Sequence, residues 1–115
     1  MLPAQNRMTR SAEFAATVKH GVRAAQPDIV VHARRDSGGP QIGFVVGKSV
    51  GGAVERNRVV RRLRHAARTV VSDLETGDRI VVRALPGSRD ALTARLREEL
   101  RLALRKAHEL MERDR

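Results

Sequence analysis

A chain of 115 residues with 23 Lys and Arg against 13 Asp and Glu has room for one hydrophobic core, and it must carry a net charge of +10 around it. It has no cysteine, which excludes disulfides, thiolate metal sites and thiol nucleophiles together, and no apolar run reaches the ~18 residues of a membrane span. The charge excess speaks of partners and not of fold. With Phe14 and Phe44 as the only aromatic residues, affinity for a polyanion must come mostly from charge and little from base stacking.

No repeat, linker or low-complexity tract divides the chain, so residues 1–115 are expected to form a single domain. The opening MLPAQNRMTR lacks the apolar stretch of a signal peptide, and a cytoplasmic protein is expected. After the basic lead-in of Arg7 and Arg10, Ser11 is placed to cap a helix with Glu13 in its first turn. That helix runs to about Lys19 or His20, where Gly21 ends it, with Phe14 and Val18 four apart on its apolar side. A brief strand is possible around Val22–Ala25. Asp28–Arg34 then alternates Ile29, Val31 and Ala33 against Val30, His32 and Arg34, the period of a strand. Asp36–Pro40 is a turn, and Gln41–Gly47 returns as a second strand, so the two are expected to make a hairpin.

The glycine-bearing loop Lys48–Gly52 delivers the chain into a helix expected at Ala53–Asp73. Six arginines fall within the thirteen positions from Arg56 to Arg68, and no acidic residue follows until Asp73. At ~3.6 residues per turn, Val59, Val60, Leu63, Ala66, Ala67, Val70 and Val71 share one arc. Arg58, Arg61, Arg62, Arg64, His65 and Arg68 share the other. Solvated helix faces usually mix signs so that residues four apart attract, as Glu98, Glu99, Glu109 and Glu112 do among the bases of the C-terminal segment. The Arg56–Arg68 stretch has no such compensation. Guanidinium forks match phosphate oxygens two at a time, so a nucleic acid is the expected answer to this face, ahead of an acidic protein or a lipid surface.

Thr76-Gly77-Asp78 turns into a strand at Arg79–Leu85, broken by Pro86-Gly87. Ser88 is placed to cap a last helix whose apolar stripe is Leu92, Leu96, Leu100, Ala103, Ala107 and Leu110. The order α-β-β-β-α-β-α, with helices this amphipathic, implies an α+β two-layer sandwich on a sheet of about four strands.

Little in the chain suggests chemistry of its own. The run from Gly43 to Ser49 approaches a phosphate-binding nucleotide loop, but three residues separate the first glycine from Gly47-Lys48 where four are required, and Ile42 stands where the glycine should be. Lys48 with Gly51 and Gly52 still makes a generic anion-binding corner before the helix. The carboxylates are scattered singly on turns and helix ends, whereas two-metal phosphodiester cleavage needs several converging. The histidines (His20, His32, His65, His108) show no ligand spacing. No catalytic residue is expected, and the residues name no metal site.

The segment Gly43–Arg68, GFVVGKSVGGAVERNRVVRRLRHAAR, resembles the signature of the bacterial ribonuclease P protein subunit family. Gly52-Ala53-Val54 matches the stretch before the family's Arg-Asn-Arg motif. Arg56-Asn57-Arg58 matches the motif, and Arg61-Arg62 and Arg64 supply the further bases a turn later. Phe14, the Lys19-His20-Gly21 segment and the order of elements resemble the family as well. The resemblance implies a mixed sheet with a left-handed β-α-β crossover, against the usual hand. It implies a ribonucleoprotein endonuclease that removes the 5′ leader of precursor tRNA, with catalysis in the RNA subunit and Mg2+ held mainly by that RNA. The partners it implies are the catalytic RNA and precursor tRNA, with neither DNA nor membrane.

Carried over by position, Lys48, Arg56, Asn57, Arg58, Arg61, Arg62, Arg64 and Arg68 are the contacts to the catalytic RNA. Phe14, Val18, His32 and Arg34 are the contacts to the leader. Val18 and His32 stand where the family commonly has aromatic residues, so leader stacking should be weaker, with Arg34 or backbone contacts in its place. A basic ribosomal protein with a purely structural role is the alternative reading. A helix-turn-helix DNA binder ranks lower, because no short second helix abuts the arginine helix.

Overall fold

The computed structural model describes residues 3–113. Its elements are α1 (Ser11–His20), β1 (Val22–Ala25), β2 (Ile29–Arg35), β3 (Gln41–Val45), α2 (Ala53–Arg68), β4 (Asp78–Ala84) and α3 (Thr93–Arg113). Single turns of 3-10 helix cover Ala4–Asn6, Val71–Asp73 and Pro86–Arg89. The element order is the one expected, and the brief strand β1 is present. Several boundaries differ. Helix α1 starts at Ser11 itself, with Arg10 in the capping position and no side-chain cap. Helix α2 stops at Arg68 and not at Asp73, and the Thr69 hydroxyl donates to the carbonyl of Ala66 at that end. Ser88 caps nothing in α3. It is buried in the preceding 3-10 turn, where its hydroxyl donates to the carbonyl of Leu85.

The sheet order is β1-β2-β4-β3, and this overturns the expected hairpin between β2 and β3. Strand β4 lies between them, antiparallel to β2 from Ile29↔Ala84 to Arg35↔Asp78 and parallel to β3 from Gln41↔Arg79 to Val45↔Arg83. The physical reason is in β4 itself. Ile80, Val81 and Val82 are all fully buried, so successive side chains meet cover on both faces, as only an interior strand can. The turn after β2 therefore closes on β4 and not on β3. Asp36 N–H donates to Gly77 O, and Gly77 N–H donates to Gly38 O. The Arg79 guanidinium donates to Ser37 O and Gly39 O, clasping the same turn. Gly77 sits at φ +86 with Asp36 O 2.6 Å from where a Cβ would lie, so only glycine fits. The parallel β3–α2–β4 unit is the β-α-β crossover of the fold.

Helices α2 and α3 cover one face of the sheet. Ile29, Val31, Ala33, Ile42, Ile80, Val82 and Ala84 meet Val59, Leu63, Ala66 and Ala67 of α2, and Leu96, Leu100, Ala103 and Ala107 of α3, in one core. The α3 stripe begins at Leu96. Leu92, expected on it, precedes the helix and is 74% exposed. Leu104 and Met111 complete the buried row. Helix α1 covers part of the other face, resting on β2 and β4 over Val30 and Val81. The Phe14 ring lies so close over Gly43 that a side chain there would overlap it.

Candidate nucleic-acid interface

Helix α2 turns Val59, Leu63, Ala66 and Ala67 into the core and leaves Asn57, Arg58, Arg61, Arg64, His65 and Arg68 exposed. The basic arc drawn from periodicity is thus the real outer surface, with one exception. Arg62 folds back against the protein. Its Nη1 donates to Ala91 O at 2.7 Å and its Nη2 to Arg89 O at 3.0 Å, tying α2 to the connection between β4 and α3. The other exposed arginines of α2 (Arg58, Arg61, Arg64 and Arg68) make no ion pair among the described residues. Asn57, Val60, Arg61, Arg64, His65 and Arg68 line a shallow concavity of about 580 Å³. Arg56 is half-buried, with its Nε shielded from solvent and lacking a hydrogen-bond partner among the described residues. Lys48 is exposed in the turn that leads into α2.

The four expected leader contacts gather on the other face of the sheet, around α1, in different states. Phe14 is half-buried against Gly43, and Val18 is 45% exposed. His32 is buried in β2. Desolvation, then the positive charges of Arg83 and Arg23, hold its pKa below the ordinary histidine value, so the ring is neutral at pH 7. Its Nε2 has no hydrogen-bond partner among the described residues. Arg34 is already engaged: it pairs with Glu13 at 2.7 Å and Asp36 at 3.1 Å, and its Nε donates to the Thr17 hydroxyl. The free positive charge on this face belongs instead to Arg23 and Arg83, exposed on β1 and β4 on either side of His32. Sequence reasoning missed both. The signal was the two-residue alternation, which puts Arg83 on the same face as Val81 and hence as His32.

Other polar clusters serve the fold. His108 Nε2 meets the fully buried Asp78 carboxylate at 2.8 Å, and Glu75 lies 3.4 Å from its Nδ1. The Asp78 hydrogen bond, with the two carboxylate charges, raises the His108 pKa. Arg95 bridges the buried carboxylates of Asp28 (2.7 Å) and Glu99 (3.2 Å), tying the β1–β2 turn to α3. Among the described residues no three histidine or carboxylate side chains converge as a metal-ligand set. No helix there is long and apolar enough to cross a membrane.

A mixed sheet backed by an arginine-faced crossover helix defines a small basic α+β protein with one uncompensated cationic face, and comparison with known proteins gives the family. The Ribonuclease P family model matches residues 2–108. The ribonuclease P protein component of Mycobacterium avium (strain 104) is 64% identical over 112 residues, covering 92% of this chain and 94% of that one. The protein of the same description from Mycobacterium tuberculosis (strain CDC 1551 / Oshkosh) is 54% identical over 116 residues, with both chains covered in full. Among solved structures, the Staphylococcus aureus RNase P protein superposes with a TM-score of 0.78 at 26% identity, covering 89% of this chain and 94% of that one. The chain belongs to the ribonuclease P protein component family, whose members are subunits of a tRNA-processing ribonucleoprotein.

Proposed function

We propose that the chain docks the catalytic RNA of ribonuclease P through the outer face of α2, and receives the 5′ leader of precursor tRNA on the sheet face beside α1. The single observation that carries this reading is the row of four arginines on α2 with no carboxylate paired to any of them among the described residues. Such a row costs mutual repulsion until a polyanion neutralises it. The RNA subunit performs the cleavage and holds most of the Mg2+. The protein raises the affinity of the assembly for its substrate and lowers its magnesium requirement. On the leader side, Phe14 and Val18 offer apolar contact, and Arg23 and Arg83 offer charge around the neutral His32. Arg34 sets the position of α1 over the sheet, through Glu13 and Thr17.

Reconstitution tests it. The purified protein alone is expected to leave precursor tRNA intact, and to restore cleavage by the catalytic RNA at magnesium concentrations where the RNA alone is slow. Metal-dependent cleavage by the protein alone, in a clean preparation, would overturn the reading. So would stoichiometric sedimentation with a ribosomal subunit.

A further inference from the structure

The arginine face of α2 does not end at α2. At Arg68 its concavity opens into a second groove of about 600 Å³, lined by His65, Arg68, Thr69, Thr93 and Arg97. The two hollows share His65 and Arg68, so they form one continuous surface from α2 onto the first turns of α3. No carboxylate lines the second groove. A different hollow, among Arg58, Arg61, Arg62, Arg89 and Asp90, also leaves the α2 face, but Asp90 edges it and Glu55 lies 3.9 Å from Arg89. Part of the positive charge in that hollow is thus answered within the protein, whereas the lining of the groove past Arg68 carries no carboxylate.

Arg97 is the residue that distinguishes this groove. Its neighbours on α3 are occupied: Arg95 holds Asp28 and Glu99, and Arg101 holds Glu98. Arg97 is exposed and makes no ion pair among the described residues. We infer that the groove between α2 and α3 is a second phosphate-binding track, in which Arg68 and Arg97 grip the backbone of an RNA strand already lying on α2. The inference rests on the α2 docking reading and extends it by one element. The groove lacks Phe, Tyr and Trp and presents two arginines and two threonines, a lining suited mainly to backbone phosphates.

The test measures the affinity of the full-length protein for an in vitro transcribed ribonuclease P RNA as a function of salt. Arg97→Ala is expected to weaken binding about five-fold at physiological salt and to flatten the salt dependence by about one unit. Lys106→Ala removes the same charge from the opposite flank of α3, nine positions on, where it neighbours Glu109, and is expected to leave the slope unchanged. Arg97 is exposed, so its replacement should not move the unfolding midpoint, which is measured alongside. If Arg97→Ala behaves like Lys106→Ala while Arg58→Ala with Arg61→Ala still flattens the slope, the second track is wrong and the α2 reading stands. If neither replacement changes the slope, both fall.

Discussion

Helices α2 and α3 lie side by side on the same sheet face, and both are amphipathic and rich in arginine. They answer their charge differently. On α3, Arg95 pairs with Asp28 and Glu99, Arg101 with Glu98 and Lys106 with Glu109, while Arg97 and Arg105 make no ion pair among the described residues. On α2, only Glu55 in the first turn offers a carboxylate, and it faces Arg89 of the following connection. Arginine count therefore does not mark the binding surface. What marks it is arginine left without a partner inside the protein, so that the stabilising contact must come from outside.

The strongest way to break this comparison is to remove equal charge from the two helices. Arg58→Ala with Arg61→Ala is expected to weaken binding of the catalytic RNA at least about tenfold and to flatten its salt slope by about two units. Arg101→Ala with Lys106→Ala should change the slope far less, because those bases are engaged within the protein. Equal slopes for the two double variants would mean that net charge, and not its placement, governs binding.

Arg62 sharpens the same contrast within α2. With its two forks on the carbonyls of Arg89 and Ala91, Arg62→Ala should cost about 1–3 kcal/mol of stability in urea unfolding. It should alter the salt slope less than Arg61→Ala does. Lysine should rescue it poorly, since a point charge cannot reach two carbonyls as a planar fork does. A variant that unfolds at the wild-type midpoint yet binds RNA as weakly as Arg61→Ala would show that Arg62 leaves its carbonyls for the RNA.

The smallest expected effect belongs to α3. The raised pKa of His108 means that its pairing with Asp78 stabilises the fold fully below the unfolded value of 6.5, and that this contribution is lost as pH rises through the higher folded value. The melting temperature should therefore decline over that window in the wild type. In His108→Gln the decline should be absent. An identical pH profile in the two proteins would remove His108 from the account.

Much of this was legible in the chain. The period of α2 located the exposed arginines correctly, because a helix wheel depends only on local geometry. It could not reveal that Arg62 folds inward, since the carbonyls it meets belong to Arg89 and Ala91, nearly thirty residues on. The strand order failed for a similar reason. Adjacent apolar strands joined by a turn favour a hairpin, and only the two-sided burial of Ile80, Val81 and Val82 marks β4 as the strand that intervenes. On the leader face, Arg34 was read as a leader contact because its partner Glu13 sits on another element. Arg83 went unread because its nearness to His32 depends on that same strand order, and Arg23 because it lies on the brief strand β1, whose pairing with β2 sets it opposite His32.

The central place of β4 also sets a timetable. The whole of α2 is synthesised before β4, and β4 is the strand that joins β3 to the rest of the sheet. The end of α3 lies 45 residues beyond Arg68, from the difference between Arg113 and Arg68. At the roughly 5–20 residues per second of synthesis, about 2–9 s separate the two. During that interval the arginine helix exists as a polycation without its completed floor. A finished docking face becomes available to RNA only once β4 and α3 have been made.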